Sequence, residues 1–203
     1  MIAILDYGAG NLLNVEKAFR FIGCDTKVTG KPEDLAAASA AVLPGVGAFG
    51  DAMACLQSSG LVVPVLDFIS SGRPFLGICL GLQLLFENSE EAPGTPGLGV
   101  LKGSICRIPE TPGRKVPHIG WNSLDLQNRG GLFQGLEEHP YVYFVHSYYL
   151  KAADRGIVSA TAEYGVTIDA AVQRGSLFAA QFHPEKSGRA GLQMLRNFAE
   201  MIR

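Results

Sequence analysis

The sequence predicts an α/β domain: an open, mixed, largely parallel sheet flanked by helices, with an antiparallel extension in the C-terminal half. Three observations carry this expectation. The first half alternates short, near-continuous apolar runs with helix-period segments, the pattern of a parallel sheet covered on both faces. From about residue 104 the runs become strand-like and are joined by turns with little helix between them. At 203 residues the chain suffices for one well-buried core and is short for two, with no repeat or linker to divide it. A single domain over residues 1–203 is therefore expected.

The elements follow in order. Ile2–Leu5 reads as the first strand, and Asn11 stands where it would cap a helix carrying Leu12, Val15, Phe19 and Ile22 on one face. Residues 25–29 and 41–43 are the second and third strands, the latter stopped by Pro44. Residues 51–58 and 61–70 have helical spacing. Residues 74–78 form a fourth buried strand, residues 80–88 a helix directly after it, and residues 90–99 a surface loop. Residues 104–108, 121–126, 141–145, 157–163, 168–173 and 177–181 then read as strands that complete the same sheet. Residues 187–202 close the chain as a helix with Leu192, Leu195, Phe198 and Ile202 in register.

Composition excludes several classes. A formal charge of −2 leaves no basic face for nucleic acid or anionic lipid. The most apolar run, residues 61–66, contains Pro64 and meets Asp67 well short of a membrane span. The N-terminal residues lack a basic leader and a cleavage site, and read as strand rather than signal peptide. Four scattered cysteines, Cys24, Cys55, Cys79 and Cys106, form no CxxC pair, which argues for a reducing compartment, by default cytoplasmic, over a disulfide framework or zinc ribbon.

The strongest chemical signal is Gly77-Ile78-Cys79-Leu80-Gly81 at a strand-to-helix corner. A nucleophile elbow strains its central residue and lifts it clear of the sheet, and needs small residues two before and two after because the backbones pass closely. The helix N-terminus behind Cys79 favours thiolate, and the Leu80 N–H is placed to donate to an oxyanion. The plainer alternative is a buried free cysteine. A base is offered by His183, where the run at residues 178–182 ends in His183-Pro184-Glu185. Strand ends of an open α/β sheet share one edge, so His183 can reach Cys79 while Glu185 orients the imidazole. Alternatively these residues form only a surface turn. No second His or Cys at ligand spacing supports a metal there.

Residues 45–50 fit GxGxxG, with Asp67 at about the right distance for dinucleotide binding. The loop follows the third strand rather than the first, however, Pro44 opens it, and Asp67 lies within an apparent helix. Its N–H groups have another use, facing a developing oxyanion. Gln83, one turn into the elbow helix, and Glu91, at its end, either bind substrate or face solvent. The aromatic clusters at residues 117–122 and 145–149 are either core or exposed loops.

Taken together, these segments resemble class I (triad-type) glutamine amidotransferases and, more narrowly, the family of glutaminase subunits of imidazole glycerol phosphate synthases. The narrower likeness rests on Asp6-Tyr7-Gly8-Ala9-Gly10-Asn11-Leu12, on residues 43–49, 77–83, 117–122 and 144–148, and on Gln181-Phe182-His183-Pro184-Glu185-Lys186-Ser187. The elbow and His-Pro-Glu occur in many amidotransferases; the first, second and fourth blocks are more particular to this subunit. Leu82 stands where the family often has Met. The resemblance implies that L-glutamine is the substrate and that Cys79, His183 and Glu185 form the catalytic triad. It further implies an oxyanion hole from the N–H groups of Gly47 and Leu80, and glutamine held by Gln83, Glu91, His146, Ser147 and Tyr148. No metal and no cofactor are implied. The partner it implies is a (β/α)8-barrel cyclase subunit in a heterodimer, with Asn11, Trp121, Tyr143 and Lys186 at the interface. That cyclase would join ammonia to a ribonucleotide to give imidazole glycerol phosphate and aminoimidazole carboxamide ribonucleotide, in histidine biosynthesis. Two other readings stay open: another cysteine amidohydrolase, such as the glutaminase of pyridoxal phosphate synthesis or a stand-alone enzyme, and a nucleotide-binding module built on the glycine loop.

Overall fold

A computed structural model describes residues 1–202; Arg203, the last residue of the expected domain, lies outside the described residues. The apolar run of Ile2–Leu5 forms β1, which pairs in parallel with β2 (Thr26–Thr29) and β3 (Ala40–Gly45). Between them lie α1 (Leu12–Phe21) and α2 (Pro32–Ala37). Asn11 occupies the N-cap position of α1, but its side chain makes no capping hydrogen bond, so the expected cap is absent. The sequence reading did not include α2, although Pro32 at its start with Glu33 and Asp34 in the first turn are standard helix-initiating signals.

Next come α3 (Phe49–Ser58), α4 (Val62–Ser70), β4 (Phe75–Cys79) and α5 (Leu80–Leu84). Pro44 does not stop β3: the strand continues one residue, with Pro44 opposite Ile78 and Gly45 opposite Cys79. A proline near a strand end forfeits a donor but keeps its carbonyl, which here accepts from the Tyr7 hydroxyl. Helix α5 is much shorter than the expected span over residues 80–88. The amides of Leu98 and Leu101 bond to the carbonyls of Leu84 and Leu85, and that of Gly97 to Glu87, so a distant loop captures the groups that would have continued the helix.

The second half supplies β5 (Asn88–Ser89), β6 (Gly103–Arg107), β7 (His118–Ser123), β8 (Asp125–Leu126), β9 (Tyr141–His146) and β10 (Tyr148–Ala152). It ends with β11 (Val158–Glu163), β12 (Thr167–Arg174), β13 (Leu177–Ala180) and α6 (Gly188–Glu200). The principal sheet has eight strands in the order β2-β1-β3-β4-β13-β12-β11-β8. It is parallel from β2 to β13 and antiparallel beyond, as the fold class predicts.

The expectation that all later strands complete one sheet is corrected. Among the described residues β10, β6 and β5 form a separate three-stranded sheet, and β7 and β9 a two-stranded one. Residues 117–122 are accordingly strand for the most part rather than loop. Strand β9 shows why it stands apart: Val142, Phe144 and His146 are buried while Tyr141 is exposed and Tyr143 and Val145 are half-buried. Such alternation suits a strand with one face on the core and the other outward, unlike the fully buried β1, β3 and β4.

Side chains of β1 point alternately to two cores. Ile2 and Ile4 join Val15, Phe19, Leu195 and Phe198 beneath α1 and α6, and Ala3 and Leu5 join Phe49, Leu56, Val65 and Phe68 beneath α3 and α4. Phe198 meets Phe19 edge-on at 6.1 Å and Phe178 at 6.3 Å; each such ring contributes roughly 1.5–3 kcal/mol of burial. No single helix among the described residues is long and apolar enough to cross a membrane; α3 and α4 together match in length and composition but are bent by 91°.

Helix α6 also abuts the turn at residues 184–186, because a Cβ on Gly191 would lie 1.9 Å from the Pro184 carbonyl oxygen. Gly191→Ala must therefore push the helix off that turn, at about 3 kcal/mol. We expect its melting temperature to fall by roughly 6–12 °C in thermal denaturation. An unchanged melting temperature would mean that α6 slides away without cost.

Candidate active site

The parallel strands bring three chain segments to one sheet edge. Gly45 is opposite Cys79 across β3 and β4, and Ala180 opposite Ile78 across β13 and β4. Cys79 thus sits between the loop that leaves β3 and the segment that leads from β13 to His183.

Cys79 has φ 55° and ψ −109°, and is the only non-glycine residue with positive φ among the described residues. Such a conformation costs of order 1–3 kcal/mol and persists only where surrounding packing imposes it. The flanking glycines show the imposition. A Cβ on Gly77 would fall 2.8 Å from the Gly81 carbonyl oxygen, and one on Gly81 would fall 1.8 Å from that of Leu43. The expectation of close backbone passage two residues either side of Cys79 therefore has a direct geometric basis. The Cys79 sulfur lies 3.9 Å from the Val145 carbonyl oxygen and 3.8 Å from Gln181 Nε2.

His183 is positioned by its backbone. Its N–H donates to the Tyr143 carbonyl at 3.0 Å, and its own carbonyl accepts from the Ser187 hydroxyl at 2.6 Å. Nδ1 is 2.8 Å from Glu185 Oε1, and both side chains are buried, with 2% and 1% exposure. The Nε2 atom and Glu185 Oε2 are buried without a hydrogen-bond partner. Burial alone would lower the imidazole pKa, but the neighbouring Cys79 sulfur and the Glu185 carboxylate outweigh it and raise the value from 6.5 to about 9.

A cavity of about 430 Å³ opens over this group. Cys79 and His183 line it together with Gly47, Leu80, Gln83, Glu91, His146, Ser147 and Tyr148, so the residues named from the sequence for oxyanion and substrate binding converge. Val46, Pro117, Val145 and Lys186 complete the wall. Gln83 does not face solvent: its Nε2 donates to the Tyr148 carbonyl at 3.2 Å and to Gln181 Oε1 at 3.0 Å. Glu91 is not at the end of α5 but follows β5, where its Oε2 accepts from the first amide of α3, that of Phe49, at 2.8 Å. A carboxylate at a helix N-terminus is favoured by both hydrogen bonding and the helix dipole.

Of the residues expected to meet a partner, Lys186 lines the cavity. Lys186 Nζ stands 5.9 Å from the Tyr143 ring centre, and Tyr143 meets Trp121 edge-on at 6.1 Å. Trp121 is 56% exposed and its neighbour Ile119 59%, while Asn11 is half-buried at the start of α1.

Two polar residues near the site escaped sequence reasoning. Gln181 is fully buried and touches both Cys79 and Gln83; its place just before Phe182-His183 was a usable signal. His118 Nδ1 is 3.0 Å from His146 Nε2, and its ring stacks on Tyr164 and Phe144 at 3.9 and 4.7 Å. Burial lowers the His118 pKa to about 4. Burial, then the charges of His118 and His183, lowers that of His146 to about 3 against the opposing bond to Tyr148. The pair is thus neutral at pH 7. His146 Nδ1 lies 2.8 Å from the Tyr148 carbonyl, which makes Nδ1 the donor and leaves Nε2 to accept from His118.

Comparison with known proteins adds an independent line. Residues 3–202 match the model of the family "Glutamine amidotransferase class-I". Among curated proteins, the chain is 54% identical over 203 residues to the "imidazole glycerol phosphate synthase subunit HisH" of Methanothermobacter thermautotrophicus, with 100% of both chains covered. It is 51% identical to the protein of the same description from Syntrophotalea carbinolica, covering 99% of this chain and 100% of that one. Among solved structures, a glutamine amidotransferase aligns with TM-score 0.77 at 23% identity, covering 99% of this chain and 98% of the other. The Thermotoga maritima PurLQS structure aligns with TM-score 0.78 at 19% identity, covering 100% and 98%. These two carry the fold alone. With a family model spanning nearly every residue and relatives above half identity along their whole length, the chain belongs to the class I glutamine amidotransferases.

Proposed function

We propose that this chain is the glutaminase subunit of an imidazole glycerol phosphate synthase, with residues 1–203 acting as one amidotransferase domain in the cytoplasm. The observation that carries the reading is a strained Cys79 sharing a cavity with His183, whose other ring nitrogen is held by buried Glu185. Relatives of that description over the full length support it.

In the proposed reaction His183 Nε2 accepts the Cys79 thiol proton, and a ring whose pKa is raised to about 9 retains it well. The sulfur attacks the glutamine carboxamide carbon. The oxygen of the tetrahedral intermediate takes hydrogen bonds from the N–H groups of Gly47 and Leu80, both beside Cys79 in the cavity. Collapse breaks the C–N bond, His183 protonates the departing ammonia, and a glutamyl thioester remains. Water, giving its proton to His183, cleaves the thioester to glutamate and returns the proton to Cys79. Gln83, Glu91, His146, Ser147 and Tyr148 hold the glutamine. Trp121, Tyr143, Lys186 and Asn11 face a (β/α)8 cyclase, which receives the ammonia. The glycine loop beside Cys79 supports an oxyanion role over dinucleotide binding.

Cys79→Ala is expected to abolish glutamate release while leaving the circular dichroism spectrum unchanged; substantial glutaminase activity in that folded variant would sink the reading. Glutamate release by the parent chain should be slow alone and rise by at least about tenfold with the cyclase and its ribonucleotide ligand. Brisk turnover by the isolated chain would exclude a partner-dependent oxyanion loop.

His183 also sets a pH dependence. Its proton is bound in the folded state up to about 9 rather than 6.5, so the stability contributed by its pairing with Cys79 and Glu185 is complete below 6.5 and is lost as pH rises through 9. In Glu185→Gln, the imidazole titration followed by NMR should move down from about 9, and the stability deficit should be largest below 6.5 and close above 9. A variant His183 still titrating near 9 would show that Glu185 is not the cause.

A further inference from the structure

The glycine loop that leaves β3 faces a physical problem. Gly47, with φ 102°, gives it backbone freedom, yet an oxyanion donor must be aimed to within tenths of an ångström. Something outside the loop has to restrict it.

Tyr7 meets that need. Its side chain is buried at 4% exposure, and its hydroxyl donates to the Pro44 carbonyl at 3.0 Å. Pro44 is the penultimate residue of β3, so this bond holds the strand end from which the loop departs. Gly45 packs directly against the phenol. A Cβ on Gly45 would lie 2.7 Å from the Tyr7 hydroxyl, 2.8 Å from Leu80 Cβ and 3.0 Å from the Gly81 amide. Phenol, glycine loop and the first turn of α5 therefore form one close-packed unit. The turn after β1 closes on the same carbonyl, since a Cβ on Gly10 would lie 3.5 Å from it. Burial first, then the charges of Cys55 and Cys79, pushes the phenol pKa well above its ordinary value, so the hydroxyl stays a neutral donor.

We propose that Tyr7 is a positioning residue for the oxyanion loop: its hydrogen bond to the Pro44 carbonyl sets the direction in which Gly45–Val46–Gly47 leaves β3 and hence where the Gly47 N–H is delivered. The inference rests on the glutaminase reading above. It assigns Tyr7 to stabilisation of the tetrahedral intermediate and not to glutamine binding or to the nucleophile itself.

The test is Tyr7→Phe, which keeps the ring and removes the donor, assayed with the cyclase and its ligand present. Rates are normalised to the folded fraction by stoichiometric labelling of Cys79. We expect kcat to fall about tenfold with KM within about twofold, the mark of an interaction used in the transition state. Alkylation of Cys79 by iodoacetamide, which needs no oxyanion hole, should keep the parent rate. A variant with lower melting temperature but unchanged kcat would make Tyr7 merely structural and overturn the proposal. Loss of alkylation rate in step with kcat would overturn it too, placing the effect on the cysteine. If the variant does not fold, 3,5-difluorotyrosine at position 7 keeps ring and hydroxyl while altering donor strength; an unchanged kcat there also overturns the proposal. Equal glutamate release by the parent chain and Cys79→Ala would instead bring down the glutaminase reading, and this inference with it.

Discussion

Helix α5 crosses β3 at a distance that no side chain tolerates. The Gly81 backbone lies so near the Leu43 carbonyl that a methyl group would overlap it, and Gly77 lies almost as close to Gly81. That approach turns the chain sharply enough to hold Cys79 at positive φ, with the amide of Leu80 next to it. It also stacks α5 on the loop after β3, where Tyr7 and Gly45 fill the remaining volume. The helix ends after Leu84 because residues 97–101 take up its free carbonyls, and the chain then turns back to present Glu91. Strain at the cysteine, placement of the glycine loop and orientation of Glu91 are consequences of one backbone contact.

Electrostatics divides the buried histidines by their neighbours. His183, His146 and His118 are all nearly inaccessible, and burial pushes each towards the neutral form. Only His183 stands beside the Cys79 sulfur and has a carboxylate within hydrogen-bond reach, and only His183 rises, to about 9. His118 and His146 have each other and a carbonyl, and stay neutral, passing one hydrogen bond from β7 to the end of β9. A charged ring in the second location would lie in a low-dielectric stack of Phe144 and Tyr164 with no carboxylate bonded to it. The same residue type therefore carries protons in one place and shape in the other.

The small β7–β9 sheet links these layers. Its inner face carries the neutral histidine pair and Phe144, and its outer face carries Trp121 and Tyr143. Its backbone supplies the carbonyl that positions His183 and the one nearest the Cys79 sulfur. A load on the aromatic outer face thus bears on the same strand that frames the site.

The sequence by itself determined the parallel half of the sheet, the elbow around Cys79, and the pairing of His183 with Glu185. These features are local: β-branched runs, glycines at fixed offsets, and two residues two positions apart. Tertiary structure decided the rest. The apolar residues within 80–86 have helical spacing, but carbonyl capture by a loop a dozen residues on overrides it. Pro44 reads as a strand stop, yet a phenol from the turn after β1 satisfies its carbonyl and the strand runs on. Residues 104–108 and 141–145 are strands by pattern, but pattern does not name a partner, so their separation into two further sheets was not legible. Gln181, His118 and Tyr7 gain their places only from contacts 28 to 102 residues away, where spacing along the chain carries no signal.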